Sequence, residues 1–217
     1  MFWKRKTVER KERSDKKVHV GPTISVKLKA EIERLSFILD QPIQDLGVML
    51  FMEGIHEREV MEHFAPHFQK GILRIENTLF YGSEESPSLG DTKIHGETDR
   101  ISVRFVKRDY EDVQLFADLL GVSPTRAVAI MLDASIRHIG IIELLLQKHN
   151  NRYHFDEVVS AELKKLMRYI NQKNPYKASW NQTLVQIAEG VKKRMRSLGK
   201  PVTSKGVDTE TYRWNFD

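Results

Sequence analysis

The sequence predicts a mainly α-helical protein in which a unit of one short strand and two helices occurs twice. Two similar stretches, TISVKLK at 23–29 and RISVRFV at 100–106, mark the strands by their alternation of apolar and polar residues. In each case an amphipathic helix follows the stretch, and a proline marks the start of a second helix. The agreement of strand period, helix spacing and proline position indicates a diverged duplication.

The first unit is predicted to occupy 18–56. The apolar side chains of its strand, which we expect to face the core, are Ile24, Val26 and Leu28. A helix follows, with an apolar face formed by Ile32, Leu35, Ile38 and Leu39. The segment Asp40-Gln41-Pro42 ends that helix, because the residue before a proline disfavours helical backbone angles. A second helix is predicted over 43–56, with an apolar set of Leu46, Val48, Met49, Leu50 and Met52.

The second unit is predicted to occupy 99–140. The counterparts of the first strand's apolar residues are Ile101, Val103 and Phe105. The apolar face of its first helix has the same internal spacing as in the first unit and consists of Val113, Phe116, Leu119 and Leu120. In the second unit, the apolar helix face starts four residues farther from the strand than it does in the first unit. We therefore expect four extra residues between strand and helix in the second unit. Gly121 is predicted to end the helix, with Ser123 as the cap and Pro124 as the first residue of the next one.

Four further segments surround the two units. Residues 1–17 are predicted to be a basic N-terminal arm, and 57–98 a helical segment followed by a linker rich in Gly, Ser and Pro at 82–98. Residues 141–200 are predicted to be a helical C-terminal region that mediates oligomerisation or binds a protein partner. Its last two helices are expected from about residue 156 and over about 181–198. Residues 201–217 are predicted to be an irregular tail.

Composition limits the class of protein. The chain has 217 residues, of which 40% are hydrophobic, so it can bury a core. It contains no cysteine, which excludes disulfides and thiolate metal sites. No apolar run is long enough to cross a membrane, and the segment 1–17 is highly charged, so neither a transmembrane helix nor a secretory signal is expected. We therefore expect a cytoplasmic protein without a membrane partner.

Charge is distributed along the chain in blocks. Residues 1–17 carry a net charge of +5, residues 18–147 a net charge of −7, and residues 148–205 a net charge of +9. Basic blocks beside an acidic body are typical of contact with a polyanion or an acidic protein surface. Solvated helix surfaces and a disordered arm would give the same pattern. Within the arm, the candidates for contact with a polyanion are Lys4, Arg5 and Lys6.

A single short strand cannot satisfy its own backbone groups and therefore needs a partner strand. In this arrangement the sequence resembles the ribbon-helix-helix family of DNA-binding proteins, the Arc and methionine-repressor superfamily. The resemblance is carried by ISVKL, a helix, a break and a helix in the first unit, and by ISVRF, a helix, LGVSPTRAV and a helix in the second. The first unit has Asp40-Gln41-Pro42 where the family pattern has Gly-Val-Ser.

The resemblance implies a mode of DNA binding. The strands of two units would pair, either within one chain or between the chains of a homodimer, into an antiparallel ribbon that enters the major groove of double-stranded DNA. Base contacts are then expected from Thr23, Ser25, Lys27, Arg100, Ser102 and Arg104. Phosphate contacts are expected from residues at or near the helix starts, namely Lys29, Gln44, Ser123, Thr125 and Arg126.

Catalytic and metal sites are not predicted. The sequence has no Gly-rich phosphate loop, no nucleophile elbow and no nuclease-like cluster of carboxylates, so we do not expect an enzyme. His63 and His67 stand four residues apart, as metal ligands on a helix do, but Pro66 would distort that helix. No third ligand is evident, so neither a metal nor another cofactor is expected.

The expected function is sequence-specific DNA binding in a bacterium, plasmid or phage, at the nucleoid, with transcriptional repression as the first hypothesis. A role in plasmid partition, or as an accessory protein of the relaxosome in conjugation, stays open because a fold does not decide between such processes. An assembly scaffold or antitoxin that does not bind DNA is the alternative from another class.

Overall fold

The computed structural model describes residues 17–90, 92–149 and 157–172, and the structural statements below concern those residues. They form a mainly helical protein with short antiparallel strand pairs. In chain order the elements are β1 (Val18–Val20), β2 (Thr23–Ser25), α1 (Val26–Leu39), α2 (Ile43–His56), α3 (Arg58–Phe64), a 3₁₀ turn (Ala65–His67), β3 (Ile72–Ile75), β4 (Thr78–Tyr81), β5 (Thr98–Arg100), β6 (Val103–Phe105), α4 (Lys107–Leu120), α5 (Pro124–Arg137), α6 (Ile139–His149) and α7 (Glu157–Gln172).

The helices that follow the two strand segments agree in length and spacing. α1, α2, α4 and α5 each contain 14 residues. The interval in residue number from the start of α1 to the start of α4 equals the interval from α2 to α5, and we call this interval the repeat offset. α6 begins one repeat offset after α3, so the correspondence continues into a third helix.

The ends of the first helices correspond as well. Asp40 after α1 and Gly121 after α4 lie one repeat offset apart, and both have left-handed backbone angles. These angles let the N–H groups that follow the helix reach carbonyls of its last turn. The two units therefore share the same helix, turn and helix geometry.

The boundary between the first strand and α1 differs from the prediction. Val26 and Leu28 belong to α1 and not to a strand. Ser25 caps this helix, because its hydroxyl accepts a hydrogen bond from the N–H of Leu28 at 3.1 Å. Leu28 then starts a buried helix face that continues with Ile32 and Leu35. Since Leu28 satisfies both a period of two and a helical period, alternation alone could not fix this boundary. Because α1 begins directly after Ser25 and only one residue separates β6 from α4, the two connections between strand and helix are nearly equal in length. The four extra residues expected in the second unit therefore do not exist.

The strand segments pair within the chain into one antiparallel ribbon, formed by 18–25 and 98–105. β1 pairs with β6 and β2 pairs with β5, and a single register runs through both pairs. Between them the N–H of Ile101 donates a hydrogen bond to the carbonyl of Pro22 at 3.2 Å. Pro22 has no N–H to donate in return, which interrupts the ladder without changing its register.

Paired cysteine substitutions test this register, since the chain has no cysteine of its own. Thr23 lies opposite Arg100. The neighbouring pair of Ile101 and Pro22 is hydrogen-bonded, so Thr23 and Arg100 form a non-hydrogen-bonded pair with Cβ atoms about 4.5–5.5 Å apart. We expect Thr23→Cys/Arg100→Cys to form an intramolecular disulfide, seen as a monomer of increased mobility on a non-reducing gel.

The matched control for that experiment is Thr23→Cys/Arg104→Cys. Arg104 stands four residues along the opposite strand, about 13 Å out of register, so this pair should stay reduced. A disulfide-linked dimer of the Thr23→Cys/Arg100→Cys variant would contradict pairing within the chain and would favour a homodimer.

The core joins residues of both units. α2 packs against α5 more extensively than any other described pair of elements. The ring centroid of Phe51 in α2 lies 5.4 Å from that of Phe105 and 6.2 Å from that of Phe116, both in edge-to-face geometry. Gly54 in α2 meets its counterpart in α5, Ser135, so closely that a Cβ on Gly54 would overlap the Ser135 hydroxyl. The two units therefore share one core.

The segment after the first unit is helical only in part. Helix with a break or kink at Pro66 was predicted over 57–81. α3 ends at Phe64 and the 3₁₀ turn that follows contains Pro66, so the break lies where it was predicted. The hairpin of β3 and β4 comes next, with Ile75 paired with Thr78 around a turn in which Glu76 has a φ of 50°. The prediction is wrong there because the alternation of exposed and buried residues in ILRI has the period of a strand. The described residues of the predicted linker fall between the hairpin and β5, except Thr98, which is the first residue of β5.

Two described helices fall in the C-terminal region. α6 covers the predicted apolar segment IIELLLQ, and α7 begins at Glu157, close to the predicted start. α7 packs against α1, where Nε of Arg34 lies 2.8 Å from Oε2 of Glu162. The predicted helix over 181–198, the tail at 201–217 and residues 1–16 of the predicted arm lie outside the described residues.

The described helices were also compared with the requirements of a membrane span. None of them alone is long and apolar enough to cross a membrane. α4 and α5 meet the length and composition criteria only when taken together, across a bend of 92°.

Candidate nucleic-acid interface

The ribbon has an apolar inner face and a polar outer face. Six residues of the inner face are buried, namely Val20, Pro22, Ile24, Ile101, Val103 and Phe105, while Val18 at one end is half-buried and Asp99 at the other is exposed. The outer face consists of four cross-strand pairs, which are His19 with Arg104, Gly21 with Ser102, Thr23 with Arg100, and Ser25 with Thr98. His19, Thr98, Arg100 and Arg104 are exposed, and the other four are half-buried. This outer face is the candidate site.

Five of the residues predicted to contact bases lie on the outer face, namely Thr23, Ser25, Arg100, Ser102 and Arg104. Lys27 does not belong to it, because the strand ends at Ser25 and α1 begins at Val26. Ser25 uses its hydroxyl to cap α1, and Lys27 lies in the first turn of that helix. His19 was not predicted. Its signal is the alternation in VHV at 18–20, which Gly21 and Pro22 interrupt.

Lys29, an expected phosphate contact, forms an ion pair with the end of the ribbon. Its Nζ lies 2.6 Å from Oδ2 of Asp99 and 3.9 Å from Oε1 of Glu33. The hydrogen bonds from Lys29 and from the N–H of Arg100 hold the pKa of Asp99 below its usual value, and the bond to Asp99 raises the pKa of Lys29. Because both groups are open to water, the pair adds little stability. Its main consequence is that a carboxylate already balances the charge of Lys29.

The starts of α2 and α5 are the two helix N-termini in which phosphate contacts were predicted. Gln44 and Thr125 occupy corresponding positions in their first turns, and both are exposed. Backbone N–H groups and the positive end of the helix dipole suit an anion at such positions. In α5 the hydroxyl of Ser123 accepts a hydrogen bond from the N–H of Arg126 at 3.3 Å, whereas Pro42 at the start of α2 provides no such bond.

The guanidinium of Arg126 is already engaged in this structure. Its Nη2 donates a hydrogen bond to the carbonyl of Thr92 in the linker. The side chain also lines a cavity of about 430 Å³ whose walls include Thr23 and Phe64. A phosphate contact through this guanidinium would require the bond to Thr92 to break.

The acidic character of the body does not extend to the outer face. Its eight residues include two guanidinium groups and one imidazole but no carboxylate. Asp99 alternates with the outer-face residues along its strand and is therefore not one of them. It lies across from Ile24 and forms an ion pair with Lys29. Lys107 and Arg108 open α4 directly after the ribbon and are followed by Asp109, so these three residues add one net positive charge beside it. The sign of the local charge therefore suits an anionic partner.

The two histidines that flank Pro66 make contacts within the protein. His67 places Nδ1 at 3.0 Å from the carbonyl of Pro87, and burial together with the charge of His67 lowers the pKa of His63. Within the described ranges, no group of three or more His, Asp or Glu side chains could hold a metal ion.

Comparison of the chain with models of known protein families, with characterised proteins and with solved structures found no match. A functional assignment therefore depends on the residues and geometry of the ribbon.

Proposed function

We propose that the chain is a sequence-specific double-stranded DNA-binding protein of the ribbon-helix-helix type, with both strands of the ribbon supplied by one chain. Its outer face enters the major groove, and its cellular role is transcriptional repression. The observation that supports this most is the antiparallel ribbon whose outer face carries Arg100 and Arg104 and no carboxylate.

The dimensions and chemistry of DNA support the proposal. The major groove is about 12 Å wide and admits a two-stranded ribbon. Arginine can donate two hydrogen bonds to O6 and N7 of guanine, and hydroxyl groups such as those of Thr23 and Ser102 adapt to several bases. The inner face is buried against the helices, so the outer face is the side of the ribbon that remains open to a ligand.

The proposal assigns phosphate contacts to the starts of α2 and α5. These helices follow the two strands at corresponding positions, one from each unit. Contacts from their backbone N–H groups to phosphates would hold the ribbon in register on the duplex without reading sequence. Exposed Gln44 and Thr125 in the first turns could add side-chain hydrogen bonds.

Titration with DNA at several salt concentrations tests the proposed function. The full chain would be titrated into a fluorescein-labelled random-sequence duplex while the anisotropy is recorded between low and physiological salt. We expect the logarithm of the binding constant to fall linearly with the logarithm of the salt concentration. The slope should be about −0.9 for each phosphate neutralised. No binding at the lowest salt would contradict the proposal and favour a scaffold or an antitoxin.

Selection of bound fragments from a genomic library separates repression from partition or conjugation. Fragments from promoters are expected for a repressor, and fragments from a partition site or a transfer origin would assign the protein to plasmid maintenance or transfer. The ribbon chemistry is the same in each case.

A further inference from the structure

The midpoint of the ribbon is occupied by Gly21 and Ser102. The two residues stand opposite each other, and they are also one repeat offset apart, as the corresponding helices are. A residue that faces its own counterpart marks a pseudo-twofold axis. The axis between the two units therefore passes through the centre of the outer face, between Gly21 and Ser102.

The fold does not require glycine at position 21. Its φ does not lie in the left-handed region, in contrast to Gly71, Gly96 and Gly121. A Cβ built on Gly21 would meet only Cε1 of His19 at 3.5 Å and the carbonyl of Ile101 at 3.9 Å, which are ordinary contacts. Glycine weakens a strand, and within strands it often marks a place where a ligand or another backbone comes close. The folded chain therefore has room for a side chain here, and the glycine leaves this space on the outer face open to a ligand.

The pseudo-twofold axis relates unlike side chains. Arg100 corresponds to His19, and Arg104 corresponds to Thr23. Both arginines thus belong to one strand of the ribbon, and the other strand offers an imidazole and a hydroxyl. A palindromic duplex would present identical half-sites to these unlike halves. The outer face therefore suits a duplex that lacks twofold symmetry.

The distance between the arginines sets the spacing of the bases they can reach. Arg100 and Arg104 are four residues apart on an extended strand, which corresponds to about 13 Å. Base pairs follow one another about every 3.4 Å along the duplex, so the two side chains span about four base-pair steps. Each arginine can read a guanine, and the segment between them lies under Gly21 and Ser102.

From these observations we infer that the ribbon binds a non-palindromic duplex in a single orientation. Arg100 and Arg104 read two guanines about four base pairs apart, and Gly21 lets the peptide backbone approach the base edges at the centre of the site. This inference rests on the proposed function and specifies the DNA that the same site takes.

Selection from a randomised duplex library, followed by binding measurements, tests the inference. The wild-type chain should enrich non-palindromic sequences with two fixed guanines at that spacing. Gly21→Ala should unfold at the same temperature as the wild type or higher, and Gly21→Val should bind the enriched duplex at least tenfold more weakly. Gly90→Val, in the exposed linker, controls for replacement of a glycine as such and should bind like the wild type.

The possible failures can be told apart. If the wild-type chain enriches no duplex, the proposed function itself is contradicted. If it enriches a palindromic site, or if Gly21→Val binds as tightly as the wild type, DNA binding stands and this inference is overturned. A lower unfolding temperature for Gly21→Ala would also overturn it, because the fold would then require the glycine.

Discussion

Replacing Arg104 by alanine should reduce the discrimination between the preferred duplex and random DNA by roughly 5- to 150-fold, which is about 1–3 kcal/mol. Arg104 is exposed on the outer face, opposite His19, so its loss should leave the fold intact. Binding to random DNA should change less, because that binding depends on phosphates and not on base edges. The measurement is the ratio of the dissociation constants for the two duplexes at one salt concentration.

Arg74→Ala is a matched control for this variant. Arg74 is also an exposed arginine on a strand, but it lies in β3 of the hairpin. Its loss should leave the discrimination unchanged.

Lys27→Ala, in the first turn of α1, should weaken binding to both duplexes to a similar extent, as expected for a residue that does not read bases. Full discrimination by the Arg104→Ala variant would mean that the outer face does not read the bases.

Replacing Phe51 by alanine should lower the free energy of unfolding by about 3–5 kcal/mol. Phe51 is fully buried in α2, and its ring packs edge-to-face on Phe105 and Phe116 of the other unit. The substitution would leave a cavity at the junction of the two units. Both units should therefore lose stability together, in one cooperative transition. Urea unfolding followed by circular dichroism measures this change.

Phe37→Ala provides the control for the same chemical change at an exposed position. Phe37 lies on α1 with 55% of its surface exposed, so its replacement should alter the free energy of unfolding by no more than about 0.5 kcal/mol. Equal losses for the two variants would contradict a shared core around Phe51. Two separate unfolding transitions in the Phe51→Ala variant would show that the units fold independently.

The parts of the fold that could be predicted from the sequence carry strong local signals. α2 begins and ends where predicted because Pro42 precedes it and its apolar residues have helical spacing. The end of α4 and the start of α5 were predicted from Gly121, Ser123 and Pro124, whose backbone preferences are specific. In these places local chemistry and tertiary packing favour the same structure.

The parts that could not be predicted depend on contacts that one segment does not reveal. In TISVKLK the alternation continues past Ser25, and only the cap formed by that residue and the packing of Leu28 begin α1 at Val26. The strand segment extends back to Val18, so its outward residues include His19. His19 was not predicted because Gly21 and Pro22 interrupt the alternation in VHVGPT. The antiparallel register joins residues that are far apart in the sequence, and neither strand alone specifies it.

Guanine methylation interference tests the central claim, which is that the outer face of the ribbon lies in a major groove. Methylation at N7 blocks the atom that an arginine reads from that groove. With a duplex that the wild-type chain selects, we predict that methylation of at least one guanine prevents binding by the wild type, and that the Arg104→Ala variant becomes insensitive to one such methylation. The claim would be contradicted if methylation at N7 had no effect on binding at any guanine of the site.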